Sequence, residues 1–326
     1  MTIIRRVSRC LATATAAALA VSWIGSAQAY PTRPLRIIVG FPAGSTADTV
    51  ARLLGNKLAE QLGQQVIVDS RPGGSGVIAV ELAKNAPPDG HTLLLGGTAP
   101  FAVLPALKPN LPYDTDRDFL ALSRVVSATN VVVVHPALGV GAVADLVTLA
   151  KARPGQLNYG SAGNGTVPHL AGEMFNVLSG VKTVHVPYKG TPLALNDLVA
   201  GQLQFMIMPP VSAIPHWKSG RIKLIATTGA KRDPFLPDLP TVADVLPGFE
   251  ITVWSGVAVP ARTSIRIVQL LHAEIVKAMQ APDVRAPLAK QGVSAHAESP
   301  AEFTAFIKAE RERIARVGRQ VGITLD

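Results

Sequence analysis

Cysteine is all but missing from this sequence: among 326 residues there is one, Cys10. A lone cysteine excludes an internal disulfide. Because Cys10 falls within what reads as an export signal, the mature chain is expected to carry no thiol nucleophile and no Cys-based metal site. Aromatic residues make up only 5%. Basic residues such as Arg33, Arg36, Arg52, Lys57, Arg71 and Lys84 are scattered and never form a long run. A nucleic-acid surface, with its basic cluster and stacking aromatics, is therefore not expected. No stretch outside the first residues approaches the ~18 apolar residues of a membrane span.

Enzyme signatures are equally scarce. The sequence contains no G-x-S-x-G elbow, no G-x-x-x-x-G-K-[ST] and no H-E-x-x-H. The loop at 160–166 also fails G-x-G-x-x-G, because Gly163 and Gly165 are followed by Thr166, Val167 and then Pro168. The seven histidines (91, 135, 169, 185, 216, 272 and 296) never fall at metal-ligand spacing, so no metal and no cofactor is expected. His135 and His185 sit at strand ends and read as structural. For His169, a ligand contact and a packed first-turn histidine both remain open.

What is present begins with an amino-terminal signal. Arg5, Arg6 and Arg9 precede a small, apolar stretch that ends in Ala27-Gln28-Ala29. This is the pattern of a secretory signal cleaved after Ala29, giving a periplasmic product. Arg5-Arg6 leaves the export route, general or twin-arginine, open. Residues 1–29 hold three arginines and no acid, so their removal takes the formal charge from +9 to +6.

The remaining chain alternates strand-like and helix-like segments, the sequence pattern of a parallel sheet covered on both faces. Leu35, Ile37, Ile38 and Val39 form an apolar run. Residues 40–46 interrupt it with Gly, Pro, Ser and Thr, and Val50, Leu53, Leu54 and Leu58 then recur at helical spacing. A strand that enters a helix through such a loop presents unpaired N–H groups and a positive dipole end, which suits an anion. Asp48, in the first turn, is expected to bond backbone N–H groups. Residues 160–166 repeat the pattern, with Ser161, Asn164 and Thr166 as donors and glycines that allow close backbone approach. Two such loops in two βα series place a ligand in a cleft between lobes. Residues 125–136 are a β-branched run that leads out of the first series, and residues 105–118 read as irregular surface chain. Long amphipathic helices are expected over 264–280 and 300–321.

Several segments together resemble the Bug-type extracytoplasmic solute receptors of tripartite tricarboxylate transporters. They are FPAGSTADTVAR (41–52), RPGGSG (71–76), PPDGHTLLLG (87–96) and RPGQLNYGSAGNGTVPHLAGEMF (153–175). HVPYKGTPLALNDLVAGQ (185–202), LPDLPTVADV (236–245), VWSGVAVPA (253–261) and SPAEFTAFIKAE (299–310) continue the likeness. The resemblance implies a two-lobed periplasmic binding protein fold with two crossover strands. It assigns residues 30–127 plus 252–326 to one lobe and 128–251 to the other. It implies a small carboxylate held by Phe41, Pro42, Ala43, Gly44, Ser45, Thr46 and Thr98. From the second lobe it adds Ser161, Asn164, Gly165, Thr166 and Tyr188, with Met208 on the wall.

Two positions depart from the family pattern. Gly44-Ser45 stands where paired glycines are usual, which adds a hydroxyl. Met206-Ile207-Met208 replaces a pattern like MFD, which implies an apolar wall at Met208 and disfavours an ammonium-bearing ligand. The implied partner is the membrane part of a tripartite tricarboxylate transporter, and a monomer is expected. A receptor that signals occupancy to a sensor protein, and a secreted enzyme on the same fold, are the competing readings.

Overall fold

The structure is a computed structural model that describes residues 30–321. The expected signal and its cleavage site lie outside the described residues. The first strands are β1 (Leu35–Val39), β2 (Val66–Ser70), β3 (Thr92–Gly97) and β4 (Phe119–Thr129). They are followed by β5 (Val131–Val134), β6 (Asn158–Ser161), β7 (Val184–Pro187), β8 (Phe205–Met208) and β9 (Lys223–Thr227). The chain closes with β10 (Thr252–Pro260) and β11 (Ser294–Ala295). One sheet runs β11-β4-β10-β3-β1-β2 and the other β7-β6-β8-β5-β9.

Within the first sheet β1 pairs in parallel with β2 and β3, while β10 runs antiparallel to β3 and β4. The apolar run at Leu35, Ile37, Ile38 and Val39 is fully buried, as expected of a strand covered on both faces. On one face Leu54 and Leu58 of helix Thr46–Leu62 share a core with Leu271 and Ile275 of helix Ile265–Gln280. On the other face helix Val77–Lys84 and helix Pro300–Val321 cover Ile38, Leu94 and Trp254. The last two long helices thus complete the first lobe, although the chain had left it much earlier, at Thr129, for β5.

The chain passes between the sheets twice, and the two passages are tied together. Only Asn130 separates β4 from β5. Its N–H donates to Thr228 Oγ1 at 2.9 Å, and Thr228 N–H donates back to the Asn130 carbonyl at 2.9 Å. Thr228 Oγ1 in turn donates to the carbonyl of Ile251, just before β10, at 2.7 Å. The β-branched run at 125–136 is therefore two strands in two sheets. Residues 105–118 are more ordered than their sequence suggests: they contain the end of a helical turn at Leu104–Leu107 and the short helix Thr115–Asp118. Asp114 caps the latter by accepting from the N–H of Asp116 and Arg117.

Candidate functional site

Each of the two small-residue loops is braced from below, by different chemistry. In the first lobe, Ser45 caps helix Thr46–Leu62 by accepting from Asp48 N–H at 3.3 Å. Asp48 Oδ2 accepts from Gly44 N–H at 3.1 Å, which folds the loop back on the helix. Arg52 grips the same carboxylate through Nε and a terminal nitrogen at 2.9 and 3.0 Å, and Ser70 adds a fourth bond. Burial pushes the Asp48 carboxyl upward, but these bonds outweigh it and hold the group below the usual carboxylate range. With Arg52 paired to it, Asp48 does not leave an unbalanced negative charge beside the loop. Gly40 is required for another reason: a Cβ there would stand 2.7 Å from the Cα of Gly76, where the 71–76 loop crosses.

The second loop is braced by two stacked imidazoles. The rings of His169 and His185 lie 4.1 Å apart, and Tyr159 stacks on His185 at 4.9 Å. His169 Nδ1 accepts from Gly165 N–H at 3.2 Å, so its proton sits on Nε2. His185 Nε2 meets Ser161 Oγ at 2.6 Å. Burial, with the neighbouring His169 adding to it, pulls His185 down to about 4. Burial also lowers His169 despite nearby Glu173. Both rings are therefore neutral at neutral pH. Ser161 Oγ accepts from Gly163 N–H at 3.1 Å, and Thr166 Oγ1 donates to the Gly163 carbonyl at 2.7 Å. The Ser161–His185 contact has the spacing of a nucleophile and its base. Ser161, however, is fully buried and does not line the cavity.

Between the loops lies a cavity of about 100 Å³. The lobes touch at its lip, where Ser75 Oγ donates to the Asn164 carbonyl. Gly190 also faces Pro42, so closely that a Cβ would lie 2.9 Å from its Cγ. The first lobe supplies Phe41, Ser45, Thr46 and the β3 segment through Thr98; the second supplies Ala162, Thr166, Val167 and Thr191. Helices Thr46–Leu62, Val167–Ser179 and Thr191–Val199 all begin at this wall. Their first-turn N–H groups have no intrahelical acceptor, and their dipoles add a positive potential from both lobes. The Thr46 hydroxyl is buried and without a partner. No residue on the cavity wall carries a charged side chain.

Of the residues expected at the site, Phe41, Ser45, Thr46, Thr98 and Thr166 lie on the cavity wall. Thr98 is already bonded to the β10 backbone, accepting from Trp254 N–H at 2.8 Å. Pro42 is at the lip, while Ala43 and Gly44 are exposed. Asn164 is exposed with its carbonyl taken by Ser75, and Gly165 is buried behind the loop. Tyr188 donates to Asp197 at 2.6 Å and is off the wall. Met208 differs from its expectation. It is fully buried in the second lobe's core with Val131 and Leu195, because β8 lies inside its sheet. Its neighbour Pro209 reaches the cavity instead.

Sequence reading missed Gly76, Ser127, Thr191, Trp254 and Val293, all of which line the cavity. Thr191 alone carried a local signal, as the first residue of a helix. The others arrive by strand order, which no local pattern reports. Trp254 is buried, packs edge-on against Phe303 and Phe306, and has no partner for its indole N–H.

The family model described as the tripartite tricarboxylate transporter family receptor matches residues 50–323. The chain belongs to this family of Bug-type periplasmic solute receptors. It is 34% identical over 302 residues to BugT of Bordetella pertussis, which covers 92% of this chain and 93% of that protein. Among solved structures it is similar to R. palustris Rpa4515 with adipate. That match has a TM-score of 0.87 and 33% identity, over 90% of this chain and 99% of the other. It is also similar to MatC from Rhodopseudomonas palustris with bound malate. There the TM-score is 0.84 and the identity 30%, over 88% and 99% of the two chains. Its fold is the two-lobed periplasmic binding protein fold of these relatives. Among the described residues no helix is long and apolar enough to cross a membrane.

Proposed function

We propose that this receptor captures a small organic carboxylate between its lobes and delivers it to the membrane components of a tripartite tricarboxylate transporter. One observation carries the reading. Helix N-termini from both lobes, together with the unpartnered Thr46 hydroxyl, converge on a cavity between the lobes that has no charged side chain on its wall. Such a wall balances one anionic head by amides, hydroxyls and dipoles. The adipate and malate held by two relatives agree with this chemistry. Phe41, Ser45, Thr46, Thr166 and Thr191 are the contacts assigned to the ligand; Ser161, Gly165 and the histidine pair hold the second loop in shape. A division into two lobes is part of the same reading, with the first boundary shifted from the expected 127/128 to Asn130, because β4 runs on to Thr129, and the second kept at 251/252. So is secretion of the mature chain from Tyr30 onward.

A thermal-shift panel of small carboxylates on the mature protein tests it. A true ligand at about a hundred times its Kd adds roughly 2.7 kcal/mol of stability. If no carboxylate raised the melting temperature while a neutral or cationic solute did, the carboxylate reading would be wrong.

A further inference from the structure

We infer that the cleft selects a monocarboxylate with an uncharged, largely apolar body and disfavours a second charge at the far end. This rests on the carboxylate reading above and narrows its ligand class. The first sheet sets β1, β3, β10 and β4 side by side, and the cavity takes wall residues from the loop or strand of each. Three strand spacings of about 4.8 Å make the wall about 14 Å long. The groups suited to an anion gather at its β1 end. Thr46 stands there, and the second lobe's Gly190, next to Thr191, is packed on Pro42 of the same loop.

Farther along the first lobe's wall the chemistry changes. β10 contributes Val253 and Trp254, β4 contributes Val126 and Ala128, and Val293 flanks β4. Thr98 is committed to the Trp254 backbone, and Ser127 Oγ is bonded to His296 Nε2 at 2.7 Å. The polar side-chain groups left on this part of the wall, the hydroxyl of Ser255 and the unpartnered indole N–H of Trp254, are both neutral. His296 cannot serve as a counter-charge, since burial, then nearby Arg124, brings it down to about 4. Arg124 itself is ion-paired with Glu298 and stacked 4.0 Å over the Phe306 ring. A second carboxylate at this end would lose its water and meet no cation.

Calorimetry on the mature protein, with hexanoate and adipate as chain-matched probes and propionate to hexanoate as a length series, tests the inference. Affinity should rise about fourfold per methylene until the tail meets the wall. Adipate should bind at least about tenfold more weakly than hexanoate. Val253→Lys, at a half-buried position, should shrink or invert that ratio by placing a cation on the far wall. If it does not fold by thermal melting, Ala128→Lys replaces it, and the wild-type ratio decides alone if neither folds. Equal or tighter adipate binding, or a flat response to chain length, would overturn the inference while leaving a carboxylate receptor intact. An unchanged ratio in a folded variant would overturn it too. Failure of every carboxylate to bind would instead sink the underlying function, and the inference with it.

Discussion

The two cleft loops look alike in sequence and are built differently. Both follow a strand, both are rich in Gly, Ser and Thr, and both enter a helix. In the first lobe an ion pair, Asp48 with Arg52, holds the loop from beneath and leaves the Thr46 hydroxyl without a partner. In the second lobe the hydroxyls themselves hold the loop: Ser161 and Thr166 both bond Gly163, and neutral histidines stand behind them. A hydroxyl in a ligand loop is therefore not automatically a ligand contact. What decides is whether some other group already braces the backbone.

Removing the brace of the first loop should have the largest effect. Asp48→Ala leaves the Gly44 N–H, Ser70 and Arg52 without their acceptor. It should cost about 2 kcal/mol of stability and weaken ligand binding at least about tenfold. Chemical denaturation and calorimetry would measure both. Unchanged affinity would mean that the loop's shape does not matter to the ligand.

A contrast between hydroxyls sharpens the comparison. Ser161→Ala should cost about 1 kcal/mol in stability and a similar amount in binding, because it cuts the loop's own bonds. Thr46→Val should leave stability unchanged or slightly higher, since it removes a buried group without a partner, and should still weaken binding by about 1 kcal/mol. If both variants behaved alike, the distinction between brace and contact would fail.

The smallest effect concerns pH. His185 has an ordinary value of 6.5 and a folded value of about 4. Between them the unfolded chain binds a proton that the folded chain does not, so stability falls as pH is lowered through this window. Thermal melts from pH 7 to pH 5 should show the fall, and His185→Gln should reduce its slope. His296, also brought down to about 4, would keep the remainder in the first lobe. An identical slope in the variant would place the titrating group elsewhere.

The periodicities of the chain revealed most of its elements. The apolar run at 35–39 is β1, and the helical spacing from Val50 to Leu58 is helix Thr46–Leu62, ended by left-handed Gly63. Composition also exposed the crossover at 125–136 as a β-branched run that leads out of the first series and ends at Pro136, although not its division into two strands. Less visible were contacts set by tertiary pairing. Nothing local in Val253, Trp254 or Val293 announces a cavity wall, because their positions depend on β10 inserting between β3 and β4. Met208 shows the reverse case. A family pattern pointed to it, yet its side chain belongs to the face of β8 that packs on helix Thr191–Val199 and on Val131. Even β11 and helix Pro282–Ala289, absent from the sequence reading, are short segments that tertiary packing stabilises.

The most direct test of the cleft is a crystal structure with a carboxylate that the thermal panel has identified. The head group should sit between the lobes with an oxygen about 3 Å from Thr46 Oγ1 and from first-turn amides of both lobes. A carboxylate bound outside this cavity, or held there by a charged side chain instead of amides and hydroxyls, would contradict the arrangement described.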